Sequence, residues 1–491
     1  MTKLRAWKMA GTILLLCSTT APVAMGQAFS TVVSFDGANG ANPQYMALVQ
    51  GPDGNLYGTT QNGGSHFWGT VFRITRAGDL TTVYNFCSQP NCTDGAGPYT
   101  GLTLGADGNF YGTTFFGGVS VNCCGAVFKI TPRGDLTTLY SFCSQAACAD
   151  GYQPYARLVQ ATDGSFYGTT YRGGLYGDGT VFKITTGGTF TTLHSFDGAD
   201  GRYPYAGLIQ ATDGNLYGTT AQLGEANGNG SGTVFRITPR GILTTLHTFN
   251  GGANDGNGPL SGLVQATDGN LYGTATQGGI CFYNVVGCGV VFRITLGGTL
   301  TTLYSFCSQI GCADGAFPTA GLAQGSDGNF YGTTLYGGGF GCSSSDGCGT
   351  AFEITPDGVL TTLHTFCSPT DCPEGYFIYG AVLQATNGTF YGSTQRGGAY
   401  DDGTVFSLNM GLGPFVTFVR PAGRVGQSGG ILGQSFTGTT SVSFNGTAAN
   451  FTVISNTLIK ATVPAGATTG YVTVTTPSGT LTSNVPFHVL P

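Results

Sequence analysis

The sequence predicts an all-β chain, a seven-bladed β-propeller with four-stranded blades followed by an Ig-like β-sandwich. Three observations carry that prediction. The phrase Asp-Gly-Asn-Leu-Tyr-Gly-Thr-Thr at 213–220 returns along the chain, its tyrosine recurring as Tyr57, Tyr111, Tyr167, Tyr217, Tyr272, Tyr331 and Tyr391. A unit that repeats at this period sets the architecture before any local reading. Each unit holds four short runs of aromatic and β-branched residues parted by Gly-rich turns, the composition of antiparallel strands. The run AFSTVVSF at 28–35 repeats the phrase that ends later units, such as LTTLYSF at 300–306, so a lone fourth strand precedes the first full unit.

In chain order, Lys3, Arg5 and Lys8 lead into an apolar run from Ala10 to Leu16, with small residues Ala24 and Gly26 before Gln27. This pattern reads as an export signal over 1–26, too short to span a membrane well. The fourth unit shows the grammar of the next segment. Residues 204–211 form a first strand, and Asp213-Gly214 supply the turn that joins antiparallel strands with the right twist. Residues 216–220, 232–238 and 243–249 follow as the second, third and fourth strands. The seventh unit ends after its third strand, at Leu408, so the opening run completes it and removes the open sheet edges. A solenoid would not need that fragment, and a membrane barrel would need strands of about ten residues. The propeller thus covers 27–412. Over 413–491 the repeat phrase is gone, and alternating runs between Gly, Pro and Asn turns predict the sandwich.

Charged residues are 9% of the chain and hydrophobic ones 41%, with formal charge −6, or −9 once the three basic residues of the leader are removed. Such an acidic chain lacks the basic footprint of a nucleic-acid binder. Fourteen cysteines remain beyond the leader, in local pairs. Cys87/Cys92, Cys143/Cys148, Cys307/Cys312 and Cys367/Cys372 share one spacing; Cys281/Cys288 and Cys342/Cys348 lie in a second loop. An even count in exported loops reads as disulfides. Adjacent Cys123 and Cys124 form a vicinal bridge, or leave one thiol free, or each pair elsewhere.

The turn aspartates Asp53, Asp107, Asp163, Asp213, Asp268 and Asp327 offer one carboxylate before a glycine, and Asn387 takes the place in the seventh unit. Calcium loops need several oxygen ligands at alternating positions, so these are turn formers, and no metal or cofactor is expected. A second acidic set, Asp94, Asp150, Asp200, Asp255, Asp314 and Glu374, precedes glycine in the loop that enters each first strand. That loop opens on the same propeller face as the cysteine loops. The expectation is a stapled, acidic binding face, with aromatic residues Trp68, Tyr99, Tyr155 and Tyr205 beside it. Rigid loops lose less ordering entropy on binding. Gln50, Gln160, Gln210, Gln265, Gln324 and Gln384 end the first strands, with Leu104 the exception, as a polar ring about the channel. His194, His247 and His364 share a slot with Tyr84, Tyr140 and Tyr304, which speaks for packing over catalysis. The basic residue of the third strand (Arg73, Lys129, Lys183, Arg236 or Arg293, with Glu353 in the sixth blade) is expected to join blade to blade. Catalysis needs unlike groups converging on one point, whereas these features repeat. The acids that break the repeat are Glu225, Asp346 and Asp401–Asp402.

The phrase DGNLYGTTxxGG…GTVFKITPxGxLTTLxSF resembles the GloVer (Gloeo-Verruco) tandem-repeat family over residues 28 to about 412. The motifs VGQSGGILGQSF and VSFNGTAANF resemble an IPT/TIG immunoglobulin-like domain. The resemblance implies a bacterial surface or extracellular protein, with no activity attached. Together these readings predict an exported, monomeric, non-catalytic binding or adhesion module for extracellular glycans or surface proteins. The alternatives are a polysaccharide-active hydrolase or lyase using propeller-face carboxylates, and a purely structural surface protein.

Overall fold

A computed structural model describes residues 27–119, 123–222, 231–252, 255–280, 287–339, 349–366 and 372–490. The fold is all-β, with seven four-stranded antiparallel sheets in the repeat region. The strand Ala28–Ser34 pairs antiparallel with Thr404–Asn409, whose other neighbours are Phe390–Thr394 and then Leu383–Gln384. The first strand of the chain therefore completes the last blade. Among the described residues there is no α-helix, only the 3-10 turns Pro90–Cys92, Ala146–Cys148 and Ile310–Cys312.

The repeated phrase builds each blade through one side-chain network. In the fourth blade Asp213 Oδ1 accepts from the Asn215 N–H at 3.0 Å and Oδ2 from the Tyr217 hydroxyl at 2.8 Å. The same tyrosine-to-aspartate bond closes in the first, second, third, fifth and sixth blades. In the seventh, Asn387 Nδ2 donates to the Tyr391 hydroxyl instead. Each ring from Tyr57 to Tyr331 is 2% exposed or less, packed against the next blade. Tyr111 stacks on Phe166 with centroids 3.9 Å apart, and Tyr331 on Phe390 at 4.0 Å. A buried phenol needs a partner for its hydroxyl, and the turn supplies it. The glycine two residues before Thr220 is equally required, since a Cβ at Gly218 would sit 2.7 Å from the Phe235 ring. The third-strand lysines do not join blade to blade. Lys129 and Lys183 reach back to the turn aspartate of their own blade, at 2.9 Å from Asp107 and 2.8 Å from Asp163.

The blades are joined by the glutamines. Gln210 Nε2 donates to the Gly214 carbonyl of its own turn, and its Oε1 accepts the Thr162 N–H of the preceding blade at 2.8 Å. Gln160, Gln265, Gln324 and Gln384 repeat this bolt. Gln50 closes the ring by accepting the buried Thr386 N–H at 2.9 Å. One junction differs. The residue that should donate to the second blade is Pro52, which has no N–H, and the facing residue is Leu104 in place of glutamine. Donor and acceptor are missing together.

That junction receives the C-terminal sandwich. Its two four-stranded sheets bury Val416, Ile431, Phe436, Val442, Phe444, Ile459, Val472 and Val474 between them. Leu432 and Leu458 pack into the cluster that holds Leu104 and Phe110, and the Thr457 hydroxyl donates to the Pro52 carbonyl at 2.7 Å. Arg76 donates to Gln434 at 3.0 Å, and the Phe415 N–H to Thr386 O at 3.1 Å.

Replacing Gln50 with Leu leaves the buried Thr386 N–H unpaired and should cost about 1–3 kcal/mol, read as a lower calorimetric melting temperature. Leu104→Gln should give no matching gain, because Pro52 offers nothing to accept. A stabilising Leu104→Gln variant would contradict the bolt account.

Candidate functional site on the loop face

The loops entering the first strands carry the second acidic set, and most of these carboxylates point inward. Asp94, Asp150, Asp255 and Asp314 are 6% exposed or less. Asp150 Oδ2 accepts from the Tyr140 hydroxyl at 2.8 Å and the Ser144 N–H at 3.0 Å, and Oδ1 from the Gln145 N–H. Asp94 and Asp314 hold Tyr84 and Tyr304 in the same way. Asp200, Asp255 and Glu374 bind the imidazoles of His194, His247 and His364 at 2.6, 3.1 and 3.1 Å. Four of the six carboxylates are thus turned into their loops, while the side chains of Asp200 and Glu374 stay 21% and 36% exposed. Each acid braces its own loop, and the Tyr/His slot of the fourth strand exists to donate to it. Spacing had located the loop but not the direction of its side chain.

Disulfides staple the same loops at Cys87–Cys92, Cys143–Cys148 and Cys307–Cys312, and Cys123 pairs with Cys124. Cys288 and Cys372 are disulfide-bonded as well, while Cys281, Cys342, Cys348 and Cys367 lie outside the described residues. Among the described residues no group of three or more His, Cys, Asp or Glu side chains is placed to hold a metal ion. Of the acids that break the repeat, Glu225 and Asp346 lie outside the described residues. Asp401 is engaged by the Gly397 N–H at 2.9 Å and the Tyr376 hydroxyl at 3.0 Å.

What this face does present is aromatic. Tyr45, Tyr99, Tyr155, Tyr205 and Tyr379 stand at the start of five first strands, each partly exposed. Tyr155 lies 4.4 Å from Tyr205 and 5.2 Å from Tyr99, centroid to centroid. Tyr45 reaches Tyr379 at 4.9 Å, Tyr205 at 6.3 Å and Tyr155 at 6.4 Å, so one ring meets residues of three other blades. The first blade enters its strand with one residue more between proline and tyrosine than the second, and Tyr45 takes a left-handed φ of 50°. That conformation is uncommon for a bulky residue and is held by the surrounding rings. The fifth and sixth blades put Leu260 and Thr319 in the same register, which makes the ring of tyrosines a crescent. Phe115 and Phe116 extend it to Trp68, whose ring lies 6.0 Å from Phe116. Burial, and after it the neighbouring phenols, hold Tyr45, Tyr99, Tyr155 and Tyr379 above the ordinary phenol range. Their hydroxyls are neutral donors and acceptors at any working pH. Sequence reasoning had named Tyr99, Tyr155 and Tyr205 but missed Tyr45 and Tyr379. Counting five residues back from each first-strand glutamine position would have found both.

The crescent rims a chamber of about 410 Å³ lined by the segments that enter the first strands of all seven blades, with Val419 and Pro421 of the C-terminal region also in its wall. Volume and lining are those of a ligand pocket, mostly apolar with a few polar groups.

Residues 11–161 and 145–344 match the profile of the Gloeobacter/Verrucomicrobia repeat, and residues 414–489 that of the IPT/TIG domain. No curated protein matches the chain. Among solved structures, it is similar to a fungal alcohol oxidase of the AA5 family in complex with copper, at 13% identity over 94% of this chain and 99% of the other, TM-score 0.47. It is also similar to a putative 6-phosphogluconolactonase from Bacteroides uniformis, at 17% identity over 69% and 89%, TM-score 0.44. A periplasmic gluconolactonase from Pseudomonas aeruginosa is similar at 16% identity over 73% and 97%, TM-score 0.41. None of these likenesses bears on what this chain binds.

Asp150→Asn keeps the shape of the loop brace and removes its charge. It should cost about 1.5–3 kcal/mol of stability in thermal or urea unfolding. A second outcome follows from His364. Burial holds its imidazole below the ordinary value of 6.5, although Glu374 pulls it up. The unfolded chain then takes up the proton first, so stability present above that pH erodes as pH falls through it toward the folded value. His364→Tyr, which installs the donor used by three sister blades, should flatten the melting temperature against pH between about 6.5 and 5; an unchanged slope would count against this assignment.

Proposed function

The chain belongs to the Gloeobacter/Verrucomicrobia repeat family, and on that premise we propose that its propeller is a non-catalytic binding module for extracellular glycans. The observation that carries this reading is the tyrosine crescent at the rim of the chamber. Aromatic rings offer flat apolar faces to sugar C–H groups, and their neutral hydroxyls bond sugar hydroxyls. The face is held stiff by disulfides and by the buried acid braces, so little ordering entropy is lost on binding. The braces occupy oxygens of Asp94, Asp150 and Asp314 with fixed donors, which favours binding over acid–base chemistry at those positions. Export accords with the basic and apolar leader and with the disulfides.

The purified chain should be slowed in native gels by at least one of a panel of soluble polysaccharides without releasing reducing or unsaturated ends. Tyr155→Ala and Tyr205→Ala should weaken that retention about tenfold each. Release of new ends would replace this reading with the hydrolase or lyase alternative. Retention unchanged in both variants would move the ligand off the crescent.

A further inference from the structure

One register of the segment leading into the first strand lines the chamber in every blade, three residues before the glutamine position. Six blades place Ala47, Gly101, Gly207, Gly262, Gly321 and Ala381 there, and all six line the chamber. The third blade places Arg157. No other charged residue lines this chamber. Arg157 Nε donates to Thr103 Oγ1 of the second blade at 3.2 Å, and Thr103 is fixed in turn by donating to Leu158 O at 2.5 Å. Among the described residues no carboxylate pairs with the guanidinium and no acceptor meets its terminal N–H groups.

Arg157 is half-buried, and its guanidinium keeps its charge at neutral pH. Burial lowers Arg157 only to about 10. The Thr100 and Thr319 hydroxyls, on residues of the same chamber wall, are buried without partners. A neighbouring cavity toward the C-terminal region shares Gln160 and Pro421 with this one and is lined by Arg420 and His488, again with no acid. In a chain of net charge −6, the cavities along the propeller axis hold no acid at all.

We propose that the chamber is a binding site for a carboxylate, gripped by the terminal N–H groups of Arg157 and entered past the tyrosine crescent. The planar fork matches two carboxylate oxygens. A single cation balances a single negative charge, which favours a carboxylate over a phosphate dianion. The Leu, Ala and Val wall and the tyrosine rim suit an organic body of monosaccharide size. The ligand class is thus an acidic sugar, a uronate. This deepens the glycan reading, and rests on it only in taking the crescent as the way in.

The test uses the full chain and monomeric ligands, so that it is independent of polysaccharide retention. Glucuronate, glucose and inorganic phosphate are titrated calorimetrically against wild type, Arg157→Ala and Arg157→Lys. Glucuronate should bind wild type at least tenfold more tightly than glucose does. Arg157→Ala should lose about 10- to 100-fold of that affinity, and Arg157→Lys should fall between, keeping the charge but not the fork. Without ligand, Arg157→Ala should melt no lower than wild type, because alanine already fills this register in two blades and an unpaired charge has gone. Equal glucuronate binding by wild type and Arg157→Ala, phosphate bound in preference to glucuronate, or a lower unliganded melting temperature for Arg157→Ala would each overturn the proposal, the last by making the arginine structural. Glucuronate binding without polysaccharide retention would sink the surface-glycan reading and leave the chamber standing; retention without glucuronate binding would do the reverse.

Discussion

A tyrosine hydroxyl buried between two sheets has to be satisfied where no water reaches it. Here the partner comes from four residues earlier in the chain, in the turn that makes the hairpin. The same aspartate fixes the turn through the Asn215 N–H and, where a lysine faces it, anchors the third strand. One carboxylate therefore ties turn, second strand and third strand, and the tyrosine it holds is the surface on which the next blade packs. Local hairpin chemistry and long-range blade packing are specified by the same short phrase. This explains why the phrase recurs so fully while the loops between its copies differ in length and content.

Against this repetition the departures stand out, and each has a physical correlate. The Pro52 and Leu104 pair gives up one bolt of the ring, and the freed Pro52 carbonyl and leucine surface are where the C-terminal sandwich docks. The extra residue before Tyr45 carries a ring into contact with three other blades. Arg157 replaces glycine or alanine at one point of the inner wall. A ring of near-identical units has no preferred sector until such substitutions create one, and a ligand or a second domain needs a preferred sector.

The blade pattern was legible because antiparallel strands joined by Asp-Gly turns are set by neighbours in sequence, and ring closure because the strand inventory was one short at one end and one over at the other. The acidic loop residues were placed on the correct loops, but their bonds within those loops were not legible. Asp150 and a solvent-facing aspartate look alike in sequence; what distinguishes them is Tyr140, ten residues upstream on a different strand. The third-strand lysines were misassigned for the same reason, since their partner lies across a hairpin and not across a blade junction. The crescent was half seen. Tyr99, Tyr155 and Tyr205 follow a proline directly, whereas Tyr45 and Tyr379 do not, and only alignment on the glutamine register shows the five together. Arg157 was passed over because a lone arginine is unremarkable until the six sister positions are set beside it.

The strand that closes the ring has a consequence for how the molecule comes into being. Ala28 pairs with Asn409, 381 residues further along the chain. The loop entropy of that meeting is lost only at the end, and contacts so distant in sequence are slow to form. Until then the nascent chain carries a half-built seventh sheet with bare edges and an unclosed bolt at Thr386. Ring closure is therefore among the last steps of the propeller's folding, and until it happens the open edge of the seventh sheet is the place where a wrong strand could pair.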